Sequence, residues 1–247
     1  MSKFFTNIKP ELNLFKKPSI KSEVVTQIIY GESFKILKKS KNFFLIKIKE
    51  DGYVGYIKKM KLFNHIKPNF KVSVLYANIY KNPSNKKIIS KLPFASKIKV
   101  EKNSSKFAKI SKGWIEYKNI QPINHKDKDI FKNIKIFKNI KYKWGGRTFN
   151  GIDCSALIQV CLQYNNKYCP RDSIQQIKFF KKDINLKKIN KNDIIYWKGH
   201  VALALSKHKL IHAYGPRKKT IIMDIKKTIK LIEKTAHLKV LSIKRLK

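Results

Sequence analysis

The spacing of apolar and polar positions changes character halfway along the chain. In the first half the period is two. Phe44, Ile46 and Ile48 alternate with Leu45, Lys47 and Lys49 in "FFLIKIKEDGYVGYIKK", and Asp51-Gly52 supplies the turn of a hairpin. Apolar runs flank Tyr30-Gly31 in "EVVTQIIYGESFKILKKS" and read as two more strands. The pattern then returns in weaker form. "NLFKKPS" (Asn13–Ser19) reappears as "NIYKNPS" (Asn78–Ser84), 65 residues later. "FASKIKV" follows as "YGESFKI" did, and "FAKISKGWIEY" repeats the hairpin in shortened form. Two tandem all-β modules of roughly 55–60 residues follow from this repeat, near the lower limit for an independent core.

Beyond the polar linker "NHKDKD" (Asn124–Asp129) the period moves toward that of a helix. "IFKNIKIFKNIKY" (Ile130–Tyr142) predicts a helix running into a loop. After the Gly-rich turn "WGGRTFNG", the stretch "CSALIQVCLQYNN" predicts a helix with Leu157, Ile158, Cys161 and Leu162 on one face and Asp153 at the N-cap position. A short helix "IQQIKFF" is capped by Asp172 or Ser173. Strands follow at "DIIYW", "GHVALAL", "LIHAYG" and "TIIMDI", then a helix "IKKTIKLIEKTA" and a last strand "LKVLSIKRL". A helix followed by an antiparallel sheet is an α+β arrangement. The division expected is residues 1–65, 66–123 and 124–247.

Composition changes this picture little. The formal net charge is +42, which invites a nucleic-acid reading. Yet only Arg147, Arg171, Arg217 and Arg245 of the 57 basic residues are arginine, the residue that reads guanine bidentately. The lysines are spread among isoleucines and asparagines, a bias that an AT-rich genome produces, although a selected polyanion-binding surface fits too. No specific nucleic-acid partner is expected. No stretch approaches a membrane-spanning length, and "MSKFFTNIKPELNLFKK" has no apolar signal region, so the expectation is a cytoplasmic protein, with a periplasmic or extracellular one as the alternative. The oligomeric state is not specified.

Three cysteines, Cys154, Cys161 and Cys169, are an odd number without a CxxC pair, which suggests neither a disulfide framework nor a zinc site. A nucleophilic cysteine must become a thiolate, and the first turn of a helix favours the anion. Cys154 opens its helix behind glycines 145, 146 and 151. Cys161 lies on the apolar face and Cys169 in a loop. Of the six histidines, His200 opens the strand "HVALAL" on the face of Ala202 and Ala204. His212 lies on the next strand, close enough to hold the other ring nitrogen of His200. The residues alone leave two readings level: Cys–His–His catalysis, or a core cysteine with two strand histidines.

The set "YKWGGRTFNGIDCSALIQVCLQY…CPRDSIQQ…NDIIYWKGHVALAL…LIHA" resembles the NlpC family of bacterial cell-wall cysteine peptidases, from about Ile130 to the C-terminus. The two upstream modules resemble bacterial SH3-like domains, on the "xxP-S" turn and the closing Gly-aromatic-Ile. The fold this implies is α+β: two small SH3-like β-barrels, then a papain-like catalytic domain with a helix carrying the cysteine and an antiparallel sheet carrying the histidine. The resemblance implies Cys154 as nucleophile, His200 as base and His212 as the third member, with Tyr142 and the Cys154 N–H at the oxyanion. It implies Asp153 and Ser155 at the free amine of an N-terminal L-Ala, and Arg171, Ser173 and Trp144 around a D-Glu carboxylate. Arg171 also fits a cap or salt bridge, and Trp144 core packing. The implied reaction is hydrolysis of the γ-D-glutamyl–diamino acid bond of murein stem peptides, without metal or other cofactor. The modules would wall the cleft, with "DGYVGY" as their candidate contact. The alternatives are an exported wall hydrolase, a non-catalytic binding protein and a polyanion binder. Two positions depart from the family pattern: Ala156 stands where it usually has Gly, and Asn192 replaces the Gly of a Gly-Asp turn.

Overall fold

The computed structural model describes residues 3–84 and 87–246. The first module consists of β1 (Phe4–Thr6), β2 (Glu11–Phe15), β3 (Val24–Ile29), β4 (Ser33–Lys39), β5 (Phe43–Ile48) and β6 (Val54–Lys58), in the sheet order β1-β4-β5-β6-β2-β3. The alternation read in "FFLIKI" is the cause. Phe44, Ile46 and Ile48 point inward onto Leu14, Ile28, Phe34 and Ile57.

The second module repeats this order. Its strands are β7 (Phe70–Val72), β8 (Tyr76–Tyr80), β9 (Ile88–Pro93), β10 (Lys97–Ile98), β11 (Val100–Asn103), β12 (Phe107–Ile110), β13 (Gly113–Glu116) and β14 (Ile120–Pro122). The run β11-β12-β13-β8-β9 mirrors β4-β5-β6-β2-β3, and β10 pairs β7 as β4 pairs β1. The two modules meet closely at Gly31, whose φ is +84° and where a Cβ would lie 1.9 Å from the Lys97 carbonyl oxygen.

The helix expected over Ile130–Tyr142 does not form. Only a 3-10 turn at Ile134–Phe137 is present, and Asn139 turns the chain with φ 68°. The buried residues Phe131, Ile134 and Phe137 recur every third position, the period of a 3-10 turn. The rest of the chain comprises β15 (Arg147–Thr148), β16 (Gly151–Ile152), α1 (Cys154–Tyr164), α2 (Ser173–Phe179), β17 (Lys182–Asp183), β18 (Ile194–Trp197), β19 (His200–Ala204), β20 (Lys209–Tyr214), β21 (Lys219–Asp224), α3 (Ile225–Ala236) and β22 (Ser242–Arg245). Its main sheet is antiparallel, ordered β17-β22-β18-β19-β20-β21.

Helix α1 covers one face of that sheet, packing in a core with Ile194, Tyr196, Val201, Leu203 and Ile211. Helix α3 covers the other, with Ile195, Trp197, Ala202 and Leu210. The two faces alternate along each strand, as period-two side chains require. At the entry to β18, Asn192 takes φ 70°, a conformation asparagine tolerates, so the turn survives without glycine.

Candidate active site

The start of α1 is built by its cap. Asp153 is extended (φ −98°, ψ 175°), and its Oδ1 accepts the Ala156 N–H at 2.9 Å. Its Oδ2 accepts the Gly145 N–H at 3.0 Å. Gly145 has φ +70°, and a Cβ there would stand 2.4 Å from the Val24 carbonyl oxygen, so only glycine lets this turn dock on the first module. Arg171 completes the cap: Nη1 and Nη2 donate to the two Asp153 oxygens at 3.0 and 2.5 Å, and Nη1 also reaches Ser155 Oγ at 2.8 Å. Its Nε donates to Thr26 Oγ1 of the first module at 2.7 Å.

This arrangement bears on the roles assigned from resemblance. Asp153, Ser155 and Arg171 are buried and already satisfied by one another. Arg171 is thus the salt-bridge residue that the sequence also allowed, and a ligand amine or carboxylate would have to displace these bonds. Trp144, by contrast, is no core residue: it is 58% exposed and donates from Nε1 to Glu23 Oε1 at 2.8 Å.

Cys154 is 5% exposed, and the backbone N–H groups of Val201 and Ser155 are near enough to its sulfur to favour the anion. The helix start was expected to lower the thiol pKa. The structure reverses that: burial, and then the Asp153 carboxylate next to it, push the thiol up to about 12, against smaller help from the N–H groups and Arg171. The resting Cys154 is therefore a neutral thiol. Cys161 and Cys169 are also buried, and burial raises both thiols.

His200 and His212 are brought together as the strand pairing suggested. His200 Nε2 and His212 Nδ1 are 2.9 Å apart. His212 Nε2 lies 3.3 Å from the thioether sulfur of Met223 on β21. A thioether only accepts, so His212 Nε2 carries the hydrogen, its Nδ1 accepts from His200 Nε2–H, and His200 Nδ1 is left with a free lone pair. Burial lowers His200 to about 4, and burial and then His200 lower His212 to about 3, so both rings are neutral. Aromatic rings hold them: Tyr214 stacks on His212 with centroids 4.6 Å apart, and Trp197 lies 5.6 Å from His200. Among the described residues no hydrogen bond joins the thiol to His200. Catalytic contacts often tighten only when a substrate is bound.

Two cavities flank this junction, and Gly199 borders both. One, of about 560 Å³, is lined by Trp144, Asp153, Cys154, Ser155, Arg171 and Ser173, and by Lys16, Glu23, Tyr53 and Val54 of the first module. The "DGYVGY" hairpin thus does reach the cleft. The other, of about 580 Å³, is lined by Tyr142, His200, Tyr214, Arg217 and residues of α3. Burial raises the pKa of Tyr142, which keeps the phenol a donor, and a thiolate at Cys154 would raise it further. Sequence reasoning missed Glu23, Tyr214 and Met223, and read Asp172 only as a cap. Asp172 stands at the N-cap of α2 without capping it, and its side chain pairs with Tyr53 instead. Glu23 and Met223 belong to no recognisable local motif; only the packing of the first module and of β21 brings them in.

Comparison with known proteins agrees with this architecture. The NlpC/P60 family profile matches residues 139–236, and the bacterial dipeptidyl-peptidase Sh3 domain profile matches residues 14–62. Dipeptidyl-peptidase 6 of Lysinibacillus sphaericus is 25% identical over 81% of this chain and 84% of its own length. The gamma-D-glutamyl-L-lysine dipeptidyl-peptidase of Bacillus subtilis (strain 168) is 22% identical over 83% of this chain and 77% of its own. In fold, the chain matches an NlpC/P60 family protein from Bacillus cereus ATCC 10987 with a TM-score of 0.83 at 17% identity, covering 99% of each chain.

Proposed function

We propose that this chain, which carries an NlpC/P60 domain behind an N-terminal bacterial dipeptidyl-peptidase Sh3 domain, is a cysteine peptidase that hydrolyses the γ-D-glutamyl–diamino acid bond of murein stem peptides. The observation that carries the reading is the paired His200 and His212, 2.9 Å apart, set at the start of the strand that packs against the helix opened by Cys154. The names of the two relatives, both dipeptidyl-peptidases, support the substrate class.

The chemistry follows from the neutral resting state. Cys154 Sγ attacks the γ-glutamyl carbonyl carbon as its proton passes to His200 Nδ1, so that no free thiolate accumulates. His212 stabilises the imidazolium through the 2.9 Å contact, as the third member of a triad does. Tyr142 and the Cys154 backbone N–H donate to the oxyanion. The C–N bond then breaks, and the leaving amine takes the proton from His200. Water, deprotonated by His200, attacks the thioester; the dipeptide leaves as its acid and the thiol is restored.

On the acyl side, Glu23 presents a 41% exposed carboxylate held only by surface contacts with Lys16 at 3.2 Å and Trp144 at 2.8 Å, while Asp153 is buried against Arg171. Glu23 is therefore the better receptor for a free N-terminal amine, with Ser173 and Trp144 lining the rest. The first module closes this end of the cavity, which supports a short peptide as substrate. The reading puts the enzyme in the cytoplasm, trimming recycled wall peptides. The second β module, with its repeated strand order, is read as a second SH3-like domain that buttresses the first.

The test is a panel of L-Ala-γ-D-Glu-diaminopimelate, its N-acetylated form and the same peptide attached to its sugar, with products followed by mass spectrometry. Release of the diamino acid from the free-amine peptide alone is the expected result. Cleavage of the sugar-linked peptide at an equal rate would favour an exported wall hydrolase, and no cleavage of any would overturn the reading.

A further inference from the structure

In a chain with 57 basic residues, a lysine beside a cavity says little; an arginine says more, because there are four. Three of them hold carboxylates within the protein: Arg147 with Glu32, Arg171 with Asp153 and Arg245 with Asp193. The fourth, Arg217, is exposed and has no carboxylate partner among the described residues. It ends the 3-10 turn Gly215–Arg217 after β20, where Lys218 in a left-handed conformation (φ 54°) turns the chain. That turn puts it on the cavity of about 580 Å³ that it lines together with Tyr142, His200, Lys198, Leu231 and Leu238.

The chemistry fixes what this cavity receives. The imidazole that protonates the leaving nitrogen must stand beside it. The acyl half of the substrate lies in the cavity of Trp144 and Cys154, so the half that departs lies in the cavity of His200. A planar guanidinium without a partner matches a carboxylate bidentately. We infer that Arg217 is the receptor for a carboxylate on the leaving residue, and that it makes the enzyme select a dicarboxylic diamino acid over lysine. Such a residue keeps one free carboxylate even when its main-chain carboxylate is blocked. The inference rests on the peptidase reading above.

The experiment measures kcat/KM on three peptides: L-Ala-γ-D-Glu-L-Lys, its C-terminal carboxamide, and the carboxamide of L-Ala-γ-D-Glu-diaminopimelate. A charge-assisted hydrogen-bonded pair predicts that amidating the lysine peptide lowers kcat/KM by roughly ten- to a hundredfold, mainly through KM, while the diaminopimelate carboxamide stays close to the acid. Arg217→Gln should erase the difference between lysine acid and amide. Lys226→Gln, which removes a charge outside the cavity, should leave it. Equal cleavage of acid and amide by the wild type would overturn the inference and leave the peptidase reading standing. So would a difference that survives Arg217→Gln, or one that Lys226→Gln abolishes equally. Cleavage of none of the three peptides would overturn both.

Discussion

Replacing Arg147 by methionine tests how the first module is joined to the site. Arg147 precedes α1 and is 1% exposed, as is Glu32 of the first module. Its Nη1 and Nη2 donate to the two Glu32 oxygens at 2.8 Å each, and further to the Gln27 carbonyl and Gln163 Oε1 at 2.6 Å. Methionine fills much of the volume but strands a buried carboxylate, which then keeps only the Ile29 N–H at 2.8 Å. Breaking one side of such a pair costs about 3–5 kcal/mol, whereas replacing both sides with apolar groups is often close to neutral. Urea unfolding followed by circular dichroism should show that loss for Arg147→Met, and recovery of most of it in Arg147→Met/Glu32→Leu. The two regions should still unfold in one transition. A single variant within about 1 kcal/mol of wild type, or a double variant no more stable than the single, would refute the reasoning.

Three further outcomes follow. Iodoacetamide labelling of Cys154 without substrate should be slow at neutral pH and rise only in alkali, because burial holds the thiol near 12; a plateau from about pH 5 to 8 would instead reveal a thiolate–imidazolium pair. Stability should fall as pH drops from the ordinary histidine value of 6.5 toward 4, since His200 and His212 stay neutral when folded, at about 4 and 3, while the unfolded chain takes up protons; a variant lacking both rings should lose that part of the slope in a pH series of urea melts. Met223→Leu removes the acceptor for His212 Nε2 and should lower kcat roughly three- to tenfold with KM unchanged, with the His212 tautomer shifting in nitrogen NMR; Met223→Gln should restore both.

Much of this site was legible in the sequence because its pieces are local. The cap Asp153, the helix behind Cys154 and the strands of His200 and His212 each follow from a few neighbouring residues. What was not legible depends on contacts distant in sequence. Gln159, a polar residue on α1 to which no role was given, is buried, donating to Asp51 of the first module at 3.0 Å and to the Cys169 carbonyl at 3.1 Å. The same packing reverses the expectation for the thiol. The N–H group of Ser155 at the helix start does favour the anion, but burial and the Asp153 carboxylate outweigh it. The missing helix at Ile130–Tyr142 has a different cause: its apolar spacing suits a 3-10 turn, and Asn139 accepts the left-handed conformation that ends the run.

The central claim is that Cys154 forms the bond to the acyl group, and that claim is tested most directly by removing only the sulfur. Wild type and Cys154→Ala would be incubated with L-Ala-γ-D-Glu-diaminopimelate and the released diamino acid quantified. The account predicts steady release by the wild type and a loss of at least about a thousandfold in the variant, with folding unchanged by circular dichroism. A Cys154→Ala protein that still releases the diamino acid within about tenfold of the wild-type rate would contradict it.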